Sequence, residues 1–293
     1  MSLMSEPAEH LVDPPPQRPA STTRARVVAF EDGTSRTVRD RLATEEPMEI
    51  RVEEPGAEQR TIAVTMRTPG SDFDLAVGFL FTEGLIAGGQ EVRGVRYCAV
   101  PREEQHYNVV SVSVAHALEF EQRSFFATSS CGVCGKASLD AIEVQCAPVA
   151  DGPVIAPAVV TSLPDALRQA QAVFERTGGL HAAGLFDPEG ALIMSREDVG
   201  RHNAVDKLVG AQLLEGRLPL SDSILMVSGR ASFEIIQKAA TAGIPIVCAV
   251  SAPSSLAVDA ARRFGLTLIA FLRGARFNIY TRAERIDRQS SPS

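Results

Sequence analysis

The segment ILMVSGRASFEIIQKAATAGIPIVCAVSAPSSLAVDAARRFGLTLIAFL, residues 224–272, determines the fold class that we predict for this chain. Three short apolar runs alternate with two stretches of helical composition, and the helical stretches end at Gly243 and Gly265. A β-α-β-α-β order is typical of a parallel or mixed sheet covered by helices. We therefore predict an α/β fold here, with strands at 224–227, 244–250 and 266–272 and helices at 231–241 and 254–264.

Two turns lie where predicted strands end and predicted helices begin. The first strand leads into Ser228-Gly229-Arg230, and the second leads into Ser251-Ala252-Pro253-Ser254. The first turn of a helix has free N–H groups and the positive end of a dipole, so this edge favours anions such as phosphate. An ordinary turn with an N-cap explains either sequence alone. Because both turns share one predicted edge, we predict a phosphate site that uses Ser228, Gly229, Arg230, Ser251 and Ser254.

The polar segment Arg196–Lys207 is a second candidate. Its Arg201-His202-Asn203 run offers many hydrogen-bond donors, which suit an anionic ligand or the edge of a purine. A solvated helix start with Asp198 as its N-cap explains the same composition equally well. His181, which follows two glycines, is more simply explained as a strand histidine. We therefore add Arg201, His202 and Asn203 to the candidate ligand-binding residues and leave His181 open.

Periodicity and turn residues predict the other elements. We predict strands at 25–30, 92–100 and 107–114, hairpins at 48–66 and 181–195, a helix capped by Ser71 and ended by Gly84, and a helix at 163–176 capped by Ser162 and ended by Gly178-Gly179.

Composition divides the chain into four parts. Residues 1–24 are rich in Pro, Glu, Ser and Thr and include three consecutive prolines, so they cannot bury enough apolar surface to fold alone. The α/β pattern described above belongs to the second half of the chain. We predict a disordered tail at 1–24, a small α+β domain at 25–120, a larger α/β domain at 121–285 and a flexible tail at 286–293.

Charge and hydropathy exclude several classes of protein. The formal net charge of −7 over 293 residues argues against a general binder of nucleic acid or of anionic membranes, which would present a basic face. No apolar run is long enough to span a bilayer, and the first residues lack the pattern of a signal peptide. We therefore expect a cytoplasmic protein with no nucleic-acid or membrane partner.

The Cys131-Gly-Val-Cys134 motif is the strongest chemical signal. A structural zinc site needs a second pair of ligands, and the chain has no second Cys-x-x-Cys and no His-x-Glu deaminase signature. A thioredoxin-type dithiol would follow the first strand of a compact βαβ domain, whereas this motif lies in the middle of the chain. Glycines on both sides leave the sulfur atoms little cover, which also suits a nucleophile that carries sulfur as a persulfide. All three interpretations remain open at this point.

Several distinctive blocks follow one another along nearly the whole chain after the N-terminal tail. They are RTPG from Arg67, DLAVGFL from Asp74, TSSCGVCGK from Thr128, TGGLHAA from Thr177, EDVGRHNAVDK from Glu197, SGRASFE from Ser228 and FLRGARFNIY from Phe271. In these blocks and in their order the sequence resembles the FdhD/NarQ family of formate dehydrogenase accessory proteins.

The resemblance implies a sulfurtransferase that takes sulfur from a cysteine desulfurase. It would supply this sulfur to the molybdenum (or tungsten) bis-molybdopterin guanine dinucleotide cofactor of formate dehydrogenase, a bound client, and would hold no permanent metal of its own. It also implies a homodimer and a cytidine-deaminase-like fold for the second domain. Cys131 would carry the persulfide with Cys134 as its assistant, and the cofactor would contact Phe271, Leu272, Arg273, Gly274, Ala275 and Arg276.

A protein that only holds the cofactor and docks the dehydrogenase is the alternative of a different class. In that case the cysteines would be secondary. Cys98, Cys146 and Cys248 match no block of the family, so we expect packed thiols at these three positions.

Overall fold

The computed structural model describes residues 18–98, 105–118, 125–126 and 146–287. Within these ranges the chain forms a mixed α/β structure with three sheets, and no helix is long and apolar enough to cross a membrane. The strands are β1 Thr22–Glu31, β2 Thr34–Ala43, β3 Glu46–Glu53, β4 Arg60–Arg67, β5 Val92–Tyr97, β6 Val109–Val114, β7 Phe125–Phe126, β8 His181–Phe186, β9 Leu192–Asp198, β10 Ile224–Val227, β11 Ile246–Ala249, β12 Thr267–Arg273 and β13 Arg276–Thr281. The α-helices are α1 Asp72–Thr82, α2 Pro157–Gln169, α3 Ala172–Thr177, α4 Arg201–Leu214, α5 Phe233–Thr241 and α6 Ser255–Arg263.

The six-stranded sheet contains the predicted βαβαβ unit. Its strand order is β13-β12-β11-β10-β8-β9, with β10, β11 and β12 parallel and β8 and β13 antiparallel to their neighbours. Every residue of β10 and β11 is buried, which explains why these strands are continuous apolar runs and do not alternate. The sequence-based prediction of a mixed sheet with covering helices is confirmed for this part of the chain.

The five-stranded sheet has the order β5-β6-β3-β4-β7, and the predicted β3–β4 hairpin is confirmed. A separate hairpin, β1–β2, precedes it. Strand β1 begins at Thr22, so Thr22–Arg24 are strand and the predicted tail at 1–24 was three residues too long. At the other end, the Asp287 backbone N–H donates to the Ile155 carbonyl at 2.9 Å, so the predicted flexible tail at 286–293 also began too early.

Helices α1 and α4 cross at two glycines, and this crossing joins the two halves of the chain. A Cβ atom at Gly78 would lie 1.9 Å from the Asp206 carbonyl oxygen, and one at Gly210 would lie 1.9 Å from the Asp74 carbonyl oxygen. The helix backbones are therefore in direct contact. One continuous cluster of buried apolar residues includes members of both halves, from Met48 to Ala270.

The predicted helix at 163–176 is two helices in the structure. Helix α2 starts at Pro157, whose fixed φ suits the first turn, and Ser162 is not an N-cap because its hydroxyl donates to the Val159 carbonyl at 2.9 Å inside the helix. The chain then breaks before α3. The Glu197 carboxylate on β9 explains the second start, since it accepts the free N–H groups of Val173 and Phe174 at 3.0 and 2.7 Å.

Ser71 precedes α1, as predicted, but it does not cap the helix with its side chain. Its φ is +54°, in the left-handed region, and its hydroxyl makes no capping bond. The Asp72 carboxylate accepts the Gly70 backbone N–H at 3.1 Å and orders the turn in its place.

Candidate functional site

Three loops meet at the carboxyl ends of β10, β11 and β12, as predicted. The Val250 N–H donates to the Val227 carbonyl at 3.2 Å, and the Ser251 N–H donates to the Gly229 carbonyl at 3.3 Å. The Phe271 N–H in turn donates to the Ser251 carbonyl at 3.2 Å. The predicted turns and the start of the 271–276 segment therefore form one continuous edge.

Two of the predicted serine hydroxyls have bonds within the protein. The Ser228 hydroxyl accepts the Ala182 backbone N–H at 2.9 Å, which joins β10 to β8. The Ser254 hydroxyl accepts the Ala257 N–H at 3.2 Å and caps α6, as its position in the sequence predicts. Ser228 and Ser254 therefore shape the edge, and each hydroxyl keeps a proton to donate.

A cluster of basic side chains lies beside these loops. His181 at the start of β8 is close to Arg201 and Arg230, and its ring lies so near Gly229 that a Cβ there would be 3.4 Å from Nδ1. Burial, and then the positive charge of Arg201, lowers the pKa of His181, which is therefore neutral at pH 7. The buried Nε of Arg201 has no hydrogen-bond partner among the described residues. Such a group suits an anionic ligand, because an anion would satisfy it.

His202 lies in the first turn of α4 and faces α5. Its Nε2 is 3.0 Å from the Ser232 hydroxyl and 3.7 Å from a Glu234 carboxylate oxygen. Burial, assisted by the charges of Arg201 and Lys238, lowers the pKa of His202 to about 4 even though Glu234 opposes the shift. The ring is therefore neutral at pH 7 and can accept or donate a hydrogen bond.

The polar segment Arg196–Lys207 is in large part structural. Asp198 is fully buried at the end of β9, where its carboxylate contacts the Lys207 ammonium at 2.7 Å and accepts the Thr68 and Gly200 backbone N–H groups at 3.0 and 2.8 Å. The interpretation of Asp198 as the N-cap of a solvated helix was wrong, since Gly200 holds the N-cap position.

Asn203 belongs to the same internal network. Its amide N–H groups donate to the Met66 carbonyl at 2.8 Å and to the Asp198 carboxylate at 3.0 Å. Its amide nitrogen thus joins the two halves of the chain, whereas the neighbouring Arg201 belongs to the basic cluster and His202 lies next to Arg201.

The 271–276 segment forms the turn between β12 and β13. Phe271 has a positive φ of +54°. The next side chain, Leu272, is buried in a second apolar cluster, which also contains Met226 and Ile269. Arg273, Gly274, Ala275 and Arg276 are exposed, and Arg273 pairs with Arg276 across the turn. The segment therefore presents two guanidinium groups to solvent next to the Ser251 loop.

A pocket of about 560 Å³ opens beside this edge, between α2, α3 and the ends of β8 and β10. Of the predicted site residues it contains Ser228, together with His181, which sequence reasoning left open. The part of its wall that comes from α2, α3 and their junction was not predicted to belong to a site, because the break between the two helices was not visible in the sequence. This part includes Asp165, Arg168, Gln171 and Phe174.

Cys131 and Cys134 lie outside the described residues. Cys146 and Cys248 are buried, as predicted, and burial raises the pKa of both thiols, that of Cys248 to about 12. Cys98 is only half-buried, and its sulfur lies 4.0 Å from a guanidinium nitrogen of Arg51, so the prediction of a packed thiol is not confirmed there.

These features define a mixed α/β protein with a basic sheet edge, a neighbouring pocket and a single Cys-x-x-Cys motif in its sequence. The sequence model of the FdhD/NarQ family matches residues 43–287. The chain belongs to the FdhD/NarQ family.

Relatives and a solved structure agree with this assignment. The chain is 51% identical over 274 residues to a protein named sulfur carrier protein FdhD from Streptomyces coelicolor, with 90% of this chain and 95% of that one covered. It is 52% identical over 273 residues to the protein of the same name from Mycolicibacterium paratuberculosis, with 90% and 98% covered. A crystal structure of a putative formate dehydrogenase accessory protein from Desulfotalea psychrophila superimposes with a TM-score of 0.72 at 29% identity, covering 90% of this chain and 99% of that one.

Proposed function

We propose that this chain is a sulfur carrier that serves a formate dehydrogenase. The observation that carries the proposal is the likeness over nearly full length to relatives named sulfur carrier proteins. The burial of Cys146 and Cys248 argues against a role for these two thiols in sulfur transfer, because a thiol with a raised pKa is a poor nucleophile at neutral pH. Cys131 is then the residue that carries the sulfur, and Cys134 assists it.

The sulfur would be carried as a persulfide. The Cys131 thiolate attacks the outer sulfur of a persulfide on a cysteine desulfurase, and the desulfurase leaves as a thiolate. Release of the sulfur as hydrosulfide needs two electrons. Attack of the Cys134 thiolate on the inner sulfur supplies them and leaves a Cys131–Cys134 disulfide, which a cellular dithiol then reduces.

The recipient in this proposal is the molybdenum bis-molybdopterin guanine dinucleotide of the dehydrogenase, bound here as cargo. Its phosphates suit the edge that carries Arg201, Arg230, Arg273 and Arg276. The Nε of Arg201, which has no partner within the described ranges, supports an anionic ligand there. A local cationic surface in a chain with a net charge of −7 favours a polyanionic ligand over general anion binding.

Persulfide formation can be tested by mass. The full chain is incubated with a cysteine desulfurase and cysteine, and the intact mass is measured without reductant. We expect one added sulfur on the wild-type chain and none on Cys131→Ala. Cys134→Ala should still load, because the first transfer needs one thiolate.

The matched control is Cys98→Ala, which removes the half-buried thiol. It should load like the wild type. Absence of added sulfur on the wild type, or equal loading of Cys131→Ala, would contradict the proposal. A reversible Cys131–Cys134 disulfide with insulin reductase activity and no persulfide would favour the dithiol oxidoreductase in its place.

A further inference from the structure

The β1–β2 hairpin is a two-stranded sheet that is not joined to the other two sheets. Its base is held in place, since the Thr44 N–H donates to the Ser21 carbonyl at 3.0 Å and β2 contacts α3. Its strands pair without a break up to an Asp32-Gly33 turn, in which both residues have positive φ, as such tight turns require. An isolated hairpin is only marginally stable in water, so a partner that covers it would stabilise it.

One face of this hairpin carries four arginines. Arg24 lies directly opposite Arg41, and Arg26 lies directly opposite Arg39. All four residues are exposed, and none of them forms an ion pair within the described part of the chain. Like charges that face each other across two strands destabilise their pairing. The two pairs therefore indicate that negative charge from outside the hairpin meets this face.

Two large apolar side chains continue the same face toward the tip. Val28 is 68% exposed and Phe30 is 75% exposed. Both lie on the side of Arg26, because side chains alternate along a strand and these positions are two and four residues further on. Exposed apolar groups beside arginines are typical of a surface that binds another protein. These six residues form what we call the arginine face.

The acidic tip argues against a partner rich in phosphate. Glu31 and Asp32 are exposed next to Phe30, and a lipid or nucleic-acid surface would repel both carboxylates. The apolar side chains would also find no counterpart on a phosphate backbone. A second copy of the same face is equally unsuitable, because it would place arginine against arginine. The face therefore suits a protein surface on which carboxylates surround an apolar contact.

The base of the hairpin adjoins the pocket. A Cβ atom at Gly179 would lie 3.4 Å from the Ala43 Cβ at the end of β2, and Gly179 lines the pocket together with Phe174 of α3. Ala43 projects on the same side of β2 as Arg41, two residues away. A protein bound on this face is thus held next to the pocket and the basic sheet edge. In the proposed function that edge holds the cargo, so its neighbour is the protein that receives the cargo.

We propose that the arginine face docks an acidic surface of the formate dehydrogenase that receives the cargo. The inference rests on the proposed function and adds a site of contact outside the pocket and the basic edge. The arginines pair with carboxylates of the dehydrogenase, and Val28 and Phe30 fill an apolar contact between them. The hairpin then holds the recipient beside the pocket while the cargo is transferred.

Docking can be tested with the formate dehydrogenase of the same organism, prepared without its molybdenum cofactor. The dehydrogenase is immobilised, and binding of the full chain is measured by surface plasmon resonance at several salt concentrations. We expect Arg26→Glu with Arg39→Glu to bind roughly tenfold more weakly than the wild type, because the reversed charges repel the carboxylates. This double variant keeps like charges opposite each other, so the hairpin itself should be no less stable. Wild-type affinity should fall as the salt concentration rises, since salt screens exposed charges.

Phe30→Ser tests the apolar part of the face by itself. It leaves all four arginines in place, so it should weaken binding to the dehydrogenase without changing the salt dependence. A variant that binds like the wild type would contradict the part that we assign to Phe30.

The matched control reverses two exposed arginines outside the face. Arg36 lies on the opposite side of the same hairpin, and Arg93 lies on β5. Arg36→Glu with Arg93→Glu changes the net charge by the same amount and should bind the dehydrogenase like the wild type. Urea unfolding of both double variants should match that of the wild type, which separates docking from folding.

Equal affinity of Arg26→Glu with Arg39→Glu and the wild type would overturn the proposal, and so would a wild-type chain that does not bind the dehydrogenase. In that case, loss of binding to phosphatidylglycerol vesicles or to a DNA duplex would assign the face to phosphate. A change in the sedimentation of the chain alone would assign it to contact between copies. Both double variants should still load sulfur on Cys131, and that loading decides the proposed function by itself.

Discussion

Asp198 is the residue on which the junction of the two halves depends most directly. It is 0% exposed and pairs with Lys207, which is equally enclosed. Asp198→Ala would leave the Lys207 ammonium buried without a counter-charge, so we expect a loss of about 3–5 kcal/mol in the free energy of unfolding. Urea denaturation followed by circular dichroism measures it.

An exposed ion pair provides the control for this substitution. Asp259 and Arg262 are 3.2 Å apart on α6 with more than half of each side chain exposed. Asp259→Ala should change the free energy of unfolding by no more than about 1 kcal/mol, because exposed pairs contribute little. Equal effects of the two substitutions would contradict the role that we assign to Asp198.

His202 makes stability depend on pH. The pKa of His202 falls from 6.5 to about 4 on folding, so between these values the unfolded chain binds a proton that the folded chain does not. Stability is then lost as the pH falls from 6.5 toward 4, by up to about 3 kcal/mol for this group. The groups around the ring are Ser232 just before α5, Glu234 and Lys238 on α5, the adjacent Arg201, and Glu83 after α1.

Denaturation at several pH values tests this expectation by comparing variants. His202→Gln should lose less stability than the wild type across that range, whereas His106→Gln, at an exposed histidine, should follow the wild type. The comparison is needed because carboxylates with lowered pKa, such as Glu49, also lose stability in acid. A His202→Gln profile parallel to that of the wild type would contradict the assignment.

Single residues were predictable from the sequence where their role is local. An N-cap was one of two interpretations of the turn at residues 251–254, and Ser254 forms that capping bond within one turn of α6. Asp198 and Glu197 were not, because their roles depend on residues far away in sequence. Asp198 accepts the Thr68 N–H across 130 positions, and Glu197 on β9 accepts the free N–H groups at the start of α3.

Among the elements, the α1–α4 crossing tolerates the least change. Because a Cβ atom at Gly78 would overlap the Asp206 carbonyl, Gly78→Ala must push the helices apart. We expect a loss of about 3 kcal/mol or more in the free energy of unfolding, the upper range for overpacked cores. Thermal and urea unfolding of Gly78→Ala report the change.

Gly94→Ala is the control for the crossing. Gly94 lies on β5, where an added Cβ would meet nothing within 4 Å. Its unfolding free energy should stay within about 0.5 kcal/mol of the wild type. If Gly78→Ala behaves like Gly94→Ala, the helices are not in backbone contact in solution.

Strands and hairpins were predicted better than helix boundaries. The parallel strands β10, β11 and β12 are uninterrupted apolar runs ended by turn residues, and both features are local in sequence. The prediction of one helix across α2 and α3 was wrong because the apolar spacing continues through the break between them. The cause of the break is the Glu197 carboxylate, which no periodicity reveals.

For the whole molecule, the sequence predicted the mixed α/β class and the meeting of the loops at one sheet edge. It did not predict that both halves share an apolar cluster, since the helix-facing glycines carry no hydrophobic signal. The pocket was missed for a related reason: its wall comes from α2, α3 and two strands that are distant in the chain.

The crossing of α1 and α4 also sets the order in which this chain can fold. Thr68, just before α1, and Asp198, just before α4, are 130 residues apart, so a ribosome exposes α1 long before its partner helix exists. During that interval the apolar face of α1 has no cover from α4, and contacts of such long range form slowly. The N-terminal half should therefore need a holding chaperone, or rapid completion of the chain, to escape aggregation during synthesis.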